Sequence, residues 1–172
     1  RSWLGVLEAS FIAAVVPAWH RNVRKQVIKT PKLHFIDTGV ICSVLGIRDA
    51  DQLRTHPLRG ALFESWVAGE ILKALLHRGV QPDLTHYREA RGTEIDLIVR
   101  RGGALHLVEC KSGATAHPSF FEPLSAVREL LDETEPSVTA ALVYGGAESY
   151  VRRTIPLYGW ADVDRLCRRV AG

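Results

Sequence analysis

Two β-rich apolar segments joined by a pair of glycines constrain the fold of this chain more than any other feature of its sequence. Residues 94–101 read EIDLIVRR, Gly102 and Gly103 follow, and residues 104–111 read ALHLVECK. Two such segments around two glycines are typical of a β-hairpin, because a two-residue type I′ turn requires positive φ at both central positions. The sequence therefore predicts a hairpin that turns at Gly102 and Gly103.

The register of this hairpin brings acidic side chains together. Counted back from the turn, Asp96 faces Glu109 and Glu94 faces Lys111. Side chains alternate along a strand, so Asp96, Glu109 and Lys111 are predicted to share one face of the sheet. Two opposed carboxylates in a half-buried sheet repel each other, and a divalent cation between them would remove that penalty. The hairpin is therefore a candidate metal site, and the alternative is a buried cluster of lysine and carboxylates that neutralises itself.

A long helix is predicted before the hairpin. Apolar side chains recur at spacings of three and four between Leu62 and Leu75, which indicates an amphipathic helix over Leu58–Arg78. Glu64 falls on the core-facing side of this helix. A carboxylate on a buried face is costly unless it is paired or bound to a cation. Glu64 is therefore either a further acidic member of the site or one half of an ion pair with an arginine.

The order of the segments predicts the fold class. A helix, three strands, a helix and a strand follow one another, which favours a mixed α/β domain whose central sheet lies between the helices Leu58–Arg78 and Pro118–Asp132. The other predicted elements are the helices Trp3–Ala9 and Asp162–Val170 and the strands Phe11–Val16, Leu33–Asp37, Leu84–Glu89, Val138–Tyr144 and Tyr150–Leu157.

Composition narrows the class of protein without assigning a function. With 172 residues, 47% of them hydrophobic, the chain fits one domain with a sizeable core. A net charge of +3 is compatible with a nucleic-acid partner but does not argue for one. The three cysteines contain no C-x-x-C spacing, so neither disulfides nor structural zinc are expected. No signal peptide and no membrane-spanning apolar run is found, so a cytoplasmic location without a membrane partner is expected, with the oligomeric state open.

Two other segments have competing interpretations. The basic stretch from His20 to Lys32 is predicted to be a solvated loop or turn, and the alternative is a wing that contacts phosphate groups. The triplet Asp37-Thr38-Gly39 matches the aspartic-protease triplet, but a single copy in a short chain is predicted to be a turn at the end of a strand.

The acidic residues and their order resemble the PD-(D/E)XK nuclease superfamily. Glu64 lies in the first predicted helix, Asp96 in the second of the three strands, and Glu109-x-Lys111 in the third. Ile95 stands where the superfamily's namesake proline would be. The resemblance implies a restriction-endonuclease-like mixed sheet flanked by helices.

The same resemblance implies a chemistry for these residues. Asp96 and Glu109 would ligate Mg²⁺ or Mn²⁺ through oxygen, with Glu64 completing the shell directly or through water. Lys111 would orient or deprotonate the attacking water and stabilise charge on the phosphate. The expected reaction is metal-dependent hydrolysis of DNA phosphodiesters without a covalent intermediate.

A resemblance over most of the chain is to the uncharacterised C-terminal domain of bacterial and archaeal AAA-type ATP-binding proteins. It is carried by PKLHFIDTG at residues 31–39, GALFESWVAGE at residues 60–70, EID at residues 94–96 and ECKS at residues 109–112. In that family a P-loop ATPase module precedes a winged-helix-like segment and a nuclease-like domain. The chain contains no P-loop motif, so ATP would enter only through a module outside it, and the opening at Arg1 suggests an excised fragment.

This resemblance also implies a division of the chain and a set of partners. Residues 1–40 would be the tail of the winged-helix-like segment, and residues 41–172 the nuclease-like domain. The expected partners are DNA and the ATPase module of the same protein. The rival expectation is a non-catalytic module that binds nucleic acid or protein and lends specificity to the ATPase.

Overall fold

A computed structural model describes residues 3–19, 28–90 and 92–172. The N-terminal elements are α1 (Trp3–Ala9), β1 (Ala13–Val16), β2 (Lys32–Phe35), α2 (Thr38–Val44) and α3 (Ala50–Thr55). The central elements are α4 (Arg59–His77), β3 (Leu84–Arg88), β4 (Glu94–Arg101), β5 (Ala104–Lys111), α5 (Glu122–Asp132) and β6 (Val138–Tyr144). The chain closes with β7 (Tyr150–Arg152), β8 (Ile155–Gly159) and α6 (Val163–Ala171), and short 3₁₀ helices cover Pro118–Phe121 and Trp160–Asp162.

The main sheet has six strands in the order β3-β4-β5-β6-β8-β7. The β4–β5 pair is the predicted hairpin, and Gly102 and Gly103 have φ angles of 57° and 79°. Strands β5, β6 and β8 run parallel to one another, whereas the remaining pairs of this sheet are antiparallel. The structure is therefore a mixed α/β fold, as predicted, and its main sheet has six strands.

Helices cover both faces of the sheet. On one face, Leu97 and Val99 of β4 pack with apolar side chains of α4 and α6. On the other face, Leu105 and Leu107 of β5 pack with apolar side chains of α5. Burial on both faces explains why the central strands read as nearly continuous apolar runs.

The element predictions hold closely in the central part of the chain and less well outside it. The predicted strand Tyr150–Leu157 is wrong, because Arg153 and Thr154 adopt positive φ angles of 48° and 68° and turn the chain between β7 and β8. Helices α2 and α3 were not predicted. Asp37 is the N-cap of α2, and its Oδ1 accepts hydrogen bonds from the amides of Gly39 and Val40.

The β1–β2 hairpin packs beside α4 and β3. Ala18 forms an isolated bridge to His86 of β3. Gly69 of α4 lies so close to the end of β2 that a Cβ atom there would approach the Ile36 carbonyl oxygen to 3.0 Å. This close approach packs β2 against α4, and Lys32, the first residue of β2, contacts Glu94 and Asp96 of the main sheet. Most of the basic stretch that was considered as a phosphate-contacting wing, residues 20–27, lies outside the described residues.

No helix in the described part of the chain is long and apolar enough to cross a membrane.

Candidate functional site

A β-bulge in β4 decides where Asp96 lies. Thr85 of β3 pairs with Ile98, and Tyr87 pairs with Ile95, so Asp96 and Leu97 together oppose the single residue His86. Such a bulge inserts an extra residue, bends the strand and re-aims its side chains. Ile95 and Ile98 consequently both belong to the core on the α5 side. The side chain of Asp96 therefore does not follow the regular alternation of side chains along β4.

The carboxylate of Asp96 ends the pairing between the two strands of the hairpin. The backbone pairing of β4 with β5 runs from the pair Arg101 and Ala104 to the pair Leu97 and Val108, and it stops there. The Cys110 amide instead donates a 2.9 Å hydrogen bond to Asp96 Oδ2. A side chain therefore replaces a backbone acceptor at this end of the hairpin.

Lys32 lies at the centre of a cluster of carboxylates. Its Nζ is 2.7 Å from Glu64 Oε1, 2.7 Å from Glu94 Oε1 and 3.1 Å from Asp96 Oδ1. We refer to Lys32, Glu64, Glu94 and Asp96 as the Lys32 cluster. Burial alone would lower the pKa of Lys32, but the charges of Asp96 and Glu64 raise it above its ordinary value. Lys32 is therefore a fixed cation within the site.

The sequence interpretation missed Lys32 and the role of Glu94. Lys32 was grouped with the basic stretch before it, and Glu94 was expected to face Lys111. The ladder between β4 and β5 ends at the Leu97–Val108 pair, and the Glu94 carboxylate contacts Lys32 and Arg88 instead of Lys111, so that expectation is wrong. Strand alternation carried a weak signal for Lys32, because His34, two residues later, is buried against α4 at Ser65.

Glu109 and Lys111 form the second part of the site. Lys111 Nζ lies 2.5 Å from Glu109 Oε1 and 5.7 Å from the centre of the Phe120 ring. We refer to Glu109 and Lys111 as the Lys111 pair. The side chain of Glu109 is only 4% exposed, and its Oε2 has no hydrogen-bond partner among the described residues. An unpaired buried carboxylate oxygen is costly, and it marks this position as one that lacks a partner.

The predicted sharing of one face by Asp96, Glu109 and Lys111 needs correction. Cys110 belongs to the core on the α4 side, so alternation places Glu109 and Lys111 on the α5 side. Asp96 sits in the gap at the bulge, with one oxygen on the Cys110 amide and the other toward Lys32. The two carboxylates are nevertheless close enough to interact, since the charge of Asp96 raises the pKa of Glu109 after burial does.

The charges of the site do not balance. Four carboxylates, those of Glu64, Glu94, Asp96 and Glu109, meet the two ammonium groups of Lys32 and Lys111. When all four carboxyl groups are ionised, two negative charges are left over in the Lys32 cluster, apart from the exposed guanidinium of Arg88, whose Nε is 3.7 Å from Glu94. A bound cation or the protonation of a carboxyl group would relieve this excess of negative charge.

Two carboxyl groups of the site have raised pKa values, because they are buried and lie near other negative charges. Burial and the charge of Asp96 raise the pKa of Glu109 to about 8, against the opposing effect of Lys111. The same two causes raise the pKa of Glu64 to about 7, against the opposing effect of Lys32. His34 does not contribute a charge, because burial and Lys32 lower its pKa to about 4, although its Nε2 is 3.8 Å from Glu64 Oε1.

The donor chemistry fits a hard divalent cation, but the side chains are not gathered as ligands. Carboxylate oxygens are the donors that Mg²⁺ and Mn²⁺ prefer, and Glu109 Oε2 is a buried oxygen without a partner. Among the described residues, no three Asp, Glu, His or Cys side chains converge into a metal-binding group. Lys32 Nζ lies between Glu64 and Asp96, so a cation contacting both would have to displace it.

Comparison with solved structures gives only distant likenesses. One is a type III CRISPR defence DNA nuclease activated by cyclic oligoadenylate, with a TM-score of 0.43 and 21% identity over 66% of this chain and 20% of that one. Another is a Vibrio cholerae protein, with a TM-score of 0.45 and 15% identity over 99% of this chain and 42% of that one. Neither likeness is close enough to identify the fold.

Comparison of sequences is more informative. Uncharacterized proteins of Mycobacterium bovis and Mycobacterium tuberculosis are each 31% identical over 115 residues, which is 67% of this chain and 25% of the relative. The chain thus spans about a quarter of the length of these relatives. The profile of one domain of unknown function, DUF8612, matches residues 1–51. The profile of another, DUF4143, matches residues 59–160, and the chain therefore belongs to the DUF4143 family.

Proposed function

We propose that this chain is a PD-(D/E)XK-type nuclease domain that hydrolyses DNA phosphodiesters with the help of a divalent metal ion. The observation that supports this most is the buried Glu109 Oε2, which has no hydrogen-bond partner among the described residues and lies near the excess of negative charge in the Lys32 cluster. An uncompensated buried carboxylate destabilises a fold, so its presence beside a lysine in a gap of the sheet favours a functional role over a structural one.

Asp96 and Glu109 are the residues that would hold the metal ion, because Glu109 Oε2 has no partner among the described residues and Asp96 is near enough to raise the pKa of Glu109, whereas Glu64 and Glu94 each lie 2.7 Å from Lys32 Nζ. Asp96 is held in place by the Cys110 amide, which fixes its carboxylate at the end of the hairpin. A bound Mg²⁺ or Mn²⁺ would polarise the phosphate and lower the pKa of the attacking water. Glu64 is one lysine away from this position and would contribute directly only if Lys32 moved.

Lys111 has an electrostatic role in this proposal. Burial opposes its charge, but Glu109 raises the pKa of Lys111 above its ordinary value, so its ammonium group is charged at neutral pH. A protonated lysine has no lone pair, which excludes it as a metal ligand and as a base. It would instead orient the water through a hydrogen bond and stabilise the charge that develops on the phosphate.

Metal binding by the chain itself tests the proposal first. Calorimetry with MnCl₂ is expected to show one site that Asp96→Asn and Glu109→Gln each remove. Lys111→Met is expected to keep metal binding and to lose cleavage. Lys73→Met, which alters a lysine paired with Glu70 on α4, controls for the loss of a charge. Absence of Mn²⁺ binding at millimolar concentration would refute the proposal.

Cleavage is tested with single-stranded, duplex and branched DNA. We also propose that the domain works with a P-loop ATPase module of the same protein in a reducing cytoplasm, where Cys42, Cys110 and Cys167 stay free thiols. The resemblance described from the sequence supports this setting. The assay therefore compares the chain with a longer protein that carries such a module, with and without ATP. Cleavage that persists in Lys111→Met and Asp96→Asn would assign the activity to another site.

One observation favours a second function, a non-catalytic module that binds nucleic acid or protein. Lys32 contacts three of the four carboxylates, which neutralises much of the site without any metal ion. In that case Asp96→Asn and Lys111→Met would leave DNA or partner binding unchanged, and no cleavage would be seen under any condition.

A further inference from the structure

A groove of about 400 Å³ opens beside the Lys111 pair. One wall is the N-terminal half of α4, which contributes Phe63 and Trp66. Helices α2 and α3 contribute further lining residues, and three come directly after parallel strands: Ser112 after β5, Gly145 after β6 and Trp160 after β8. Ligands of open α/β sheets bind at the carboxyl ends of parallel strands. The position of the groove is therefore one where a ligand is expected.

The walls of the groove are aromatic. The rings of Phe63 and Trp66 pack against each other with their centres 5.6 Å apart. Trp160 is 52% exposed, which leaves a large part of its indole accessible from the groove. Half-exposed aromatic rings in a groove are the surfaces on which unpaired nucleobases stack, because every base offers a π-face.

A fixed arginine lies between the groove and the end of β5. Arg59 lines the groove and donates to the carbonyl oxygens of Arg54, at 3.3 Å, and Ser112, at 2.5 Å. Ser112 is the residue directly after Lys111. The groove lies on the α4 side of the sheet, whereas Lys111 points to the α5 side, so a phosphate beside the groove would meet the guanidinium of Arg59. Positive charge beside an aromatic wall suits a nucleotide, whose phosphate and base have these two chemistries.

The backbone at Gly145, which lines the groove, is packed too closely to accept a side chain. A Cβ atom on Gly145 would lie 2.3 Å from the Ser112 carbonyl oxygen. The Gly145 amide donates to the carbonyl oxygens of Lys111 and Gly113, at 3.0 and 3.1 Å. The loop that carries the groove is therefore tied to the end of β5, so the groove keeps a fixed position relative to Lys111.

We infer that this groove binds one unpaired nucleobase of a nucleic acid whose neighbouring phosphate lies at Arg59. The inference rests on the proposed function and deepens it, because it names the substrate class as single-stranded DNA or a DNA junction with an unpaired base. A base paired inside a duplex has both faces stacked and does not enter such a groove.

Binding of a labelled oligonucleotide without metal tests the inference. The probe is a 12-nucleotide oligo(dT) with one central 2-aminopurine, titrated with the protein in EDTA so that no cleavage takes place. The wild-type chain is expected to quench the 2-aminopurine on binding, and the fully duplexed probe is expected to bind more weakly. Loss of one stacking partner in Trp160→Ala is expected to weaken binding roughly 5- to 150-fold.

Matched variants separate stacking from folding and from charge. Trp3→Ala removes a tryptophan that is 87% exposed on α1, outside the groove, and is expected to bind as the wild type does. Trp160→Phe keeps an aromatic ring and is expected to restore most of the affinity. Equal affinity of Trp160→Ala and the wild type, equal affinity for duplex and single strand, or no binding at all would each overturn the inference.

The outcome is independent of whether the proposed hydrolysis takes place. Groove-dependent binding in EDTA, with no cleavage on addition of Mn²⁺, would support the groove and refute the nuclease proposal. Cleavage that needs Asp96 and Glu109, together with unchanged binding by Trp160→Ala, would support the nuclease proposal and refute the groove.

Discussion

The Lys32 cluster and the Lys111 pair lie at the same end of the sheet but handle charge differently. Lys32, 19% exposed, is shared among three carboxylates, so the cluster is tightly bonded but has more negative than positive groups. Lys111, 35% exposed, forms an ion pair with Glu109 alone among the described residues. The second carboxylate oxygen of Glu109 is buried and has no hydrogen-bond partner among them. The difference indicates that the cluster holds the β1–β2 hairpin to the main sheet, while the pair keeps charge available for chemistry.

Lys32→Met should have the largest effect on stability. Removing Lys32 would leave Glu64, Glu94 and Asp96 together without their shared cation, and breaking a buried ion pair lowers the free energy of unfolding by about 3–5 kcal/mol. Urea denaturation at pH 7 in EDTA measures this change. Lys73→Met breaks the Lys73–Glu70 pair on the outer side of α4 and should cost less than about 1 kcal/mol. Equal costs for the two variants would show that the cluster is not structural.

Glu109→Gln should change the pH dependence of stability. The pKa of Glu109 is raised to about 8, so between its ordinary value of 4.5 and pH 8 the folded protein keeps a proton that the unfolded chain releases. This contribution to the free energy of unfolding is complete below pH 4.5 and falls as the pH rises to 8. The fall is on the order of a few kcal/mol, because each pKa unit corresponds to about 1.4 kcal/mol.

The measurement compares the wild type with Glu109→Gln at pH 5 and pH 8.5 in EDTA, by urea denaturation. The wild type should lose more stability than the variant over this interval. The surface variant Glu129→Gln on α5 controls for the removal of a carboxylate. Parallel pH profiles for the wild type and Glu109→Gln would show that Glu109 has a bound partner or is open to solvent.

Lys111→Met should have the smallest effect on stability. At pH 7 most Glu109 side chains carry a proton, since the pKa is about 8, so little negative charge is left uncompensated when Lys111 is removed. We expect a loss of about 1 kcal/mol or less in the free energy of unfolding at pH 7, growing above pH 8. The same urea titrations at pH 7 and pH 9 measure it. A loss as large as that of Lys32→Met would remove the distinction between the two parts of the site.

The prediction from sequence was most successful where local signals act alone. The turn at Gly102 and Gly103, the helix α4 and the helix α5 each follow from short-range conformational preference or from apolar periodicity. It failed between β7 and β8, because positive φ at Arg153 and Thr154 has no signal comparable to a glycine pair. It also failed at the end of the β4–β5 hairpin, because a bulge against β3 depends on a strand that is distant in sequence.

The sequence by itself determined the mixed α/β class, the hairpin and the positions of Asp96, Glu109 and Lys111 near the open end of that hairpin. These follow from patterns whose range is a few residues, and so does the positioning of each side chain within its own element. Only the tertiary structure decided that Lys32, 64 residues before Asp96, is the cation within the cluster, and that Glu94 belongs to it. Such ion pairs depend on the packing of the β1–β2 hairpin against α4, and neither the periodicity nor the composition of the chain records that packing.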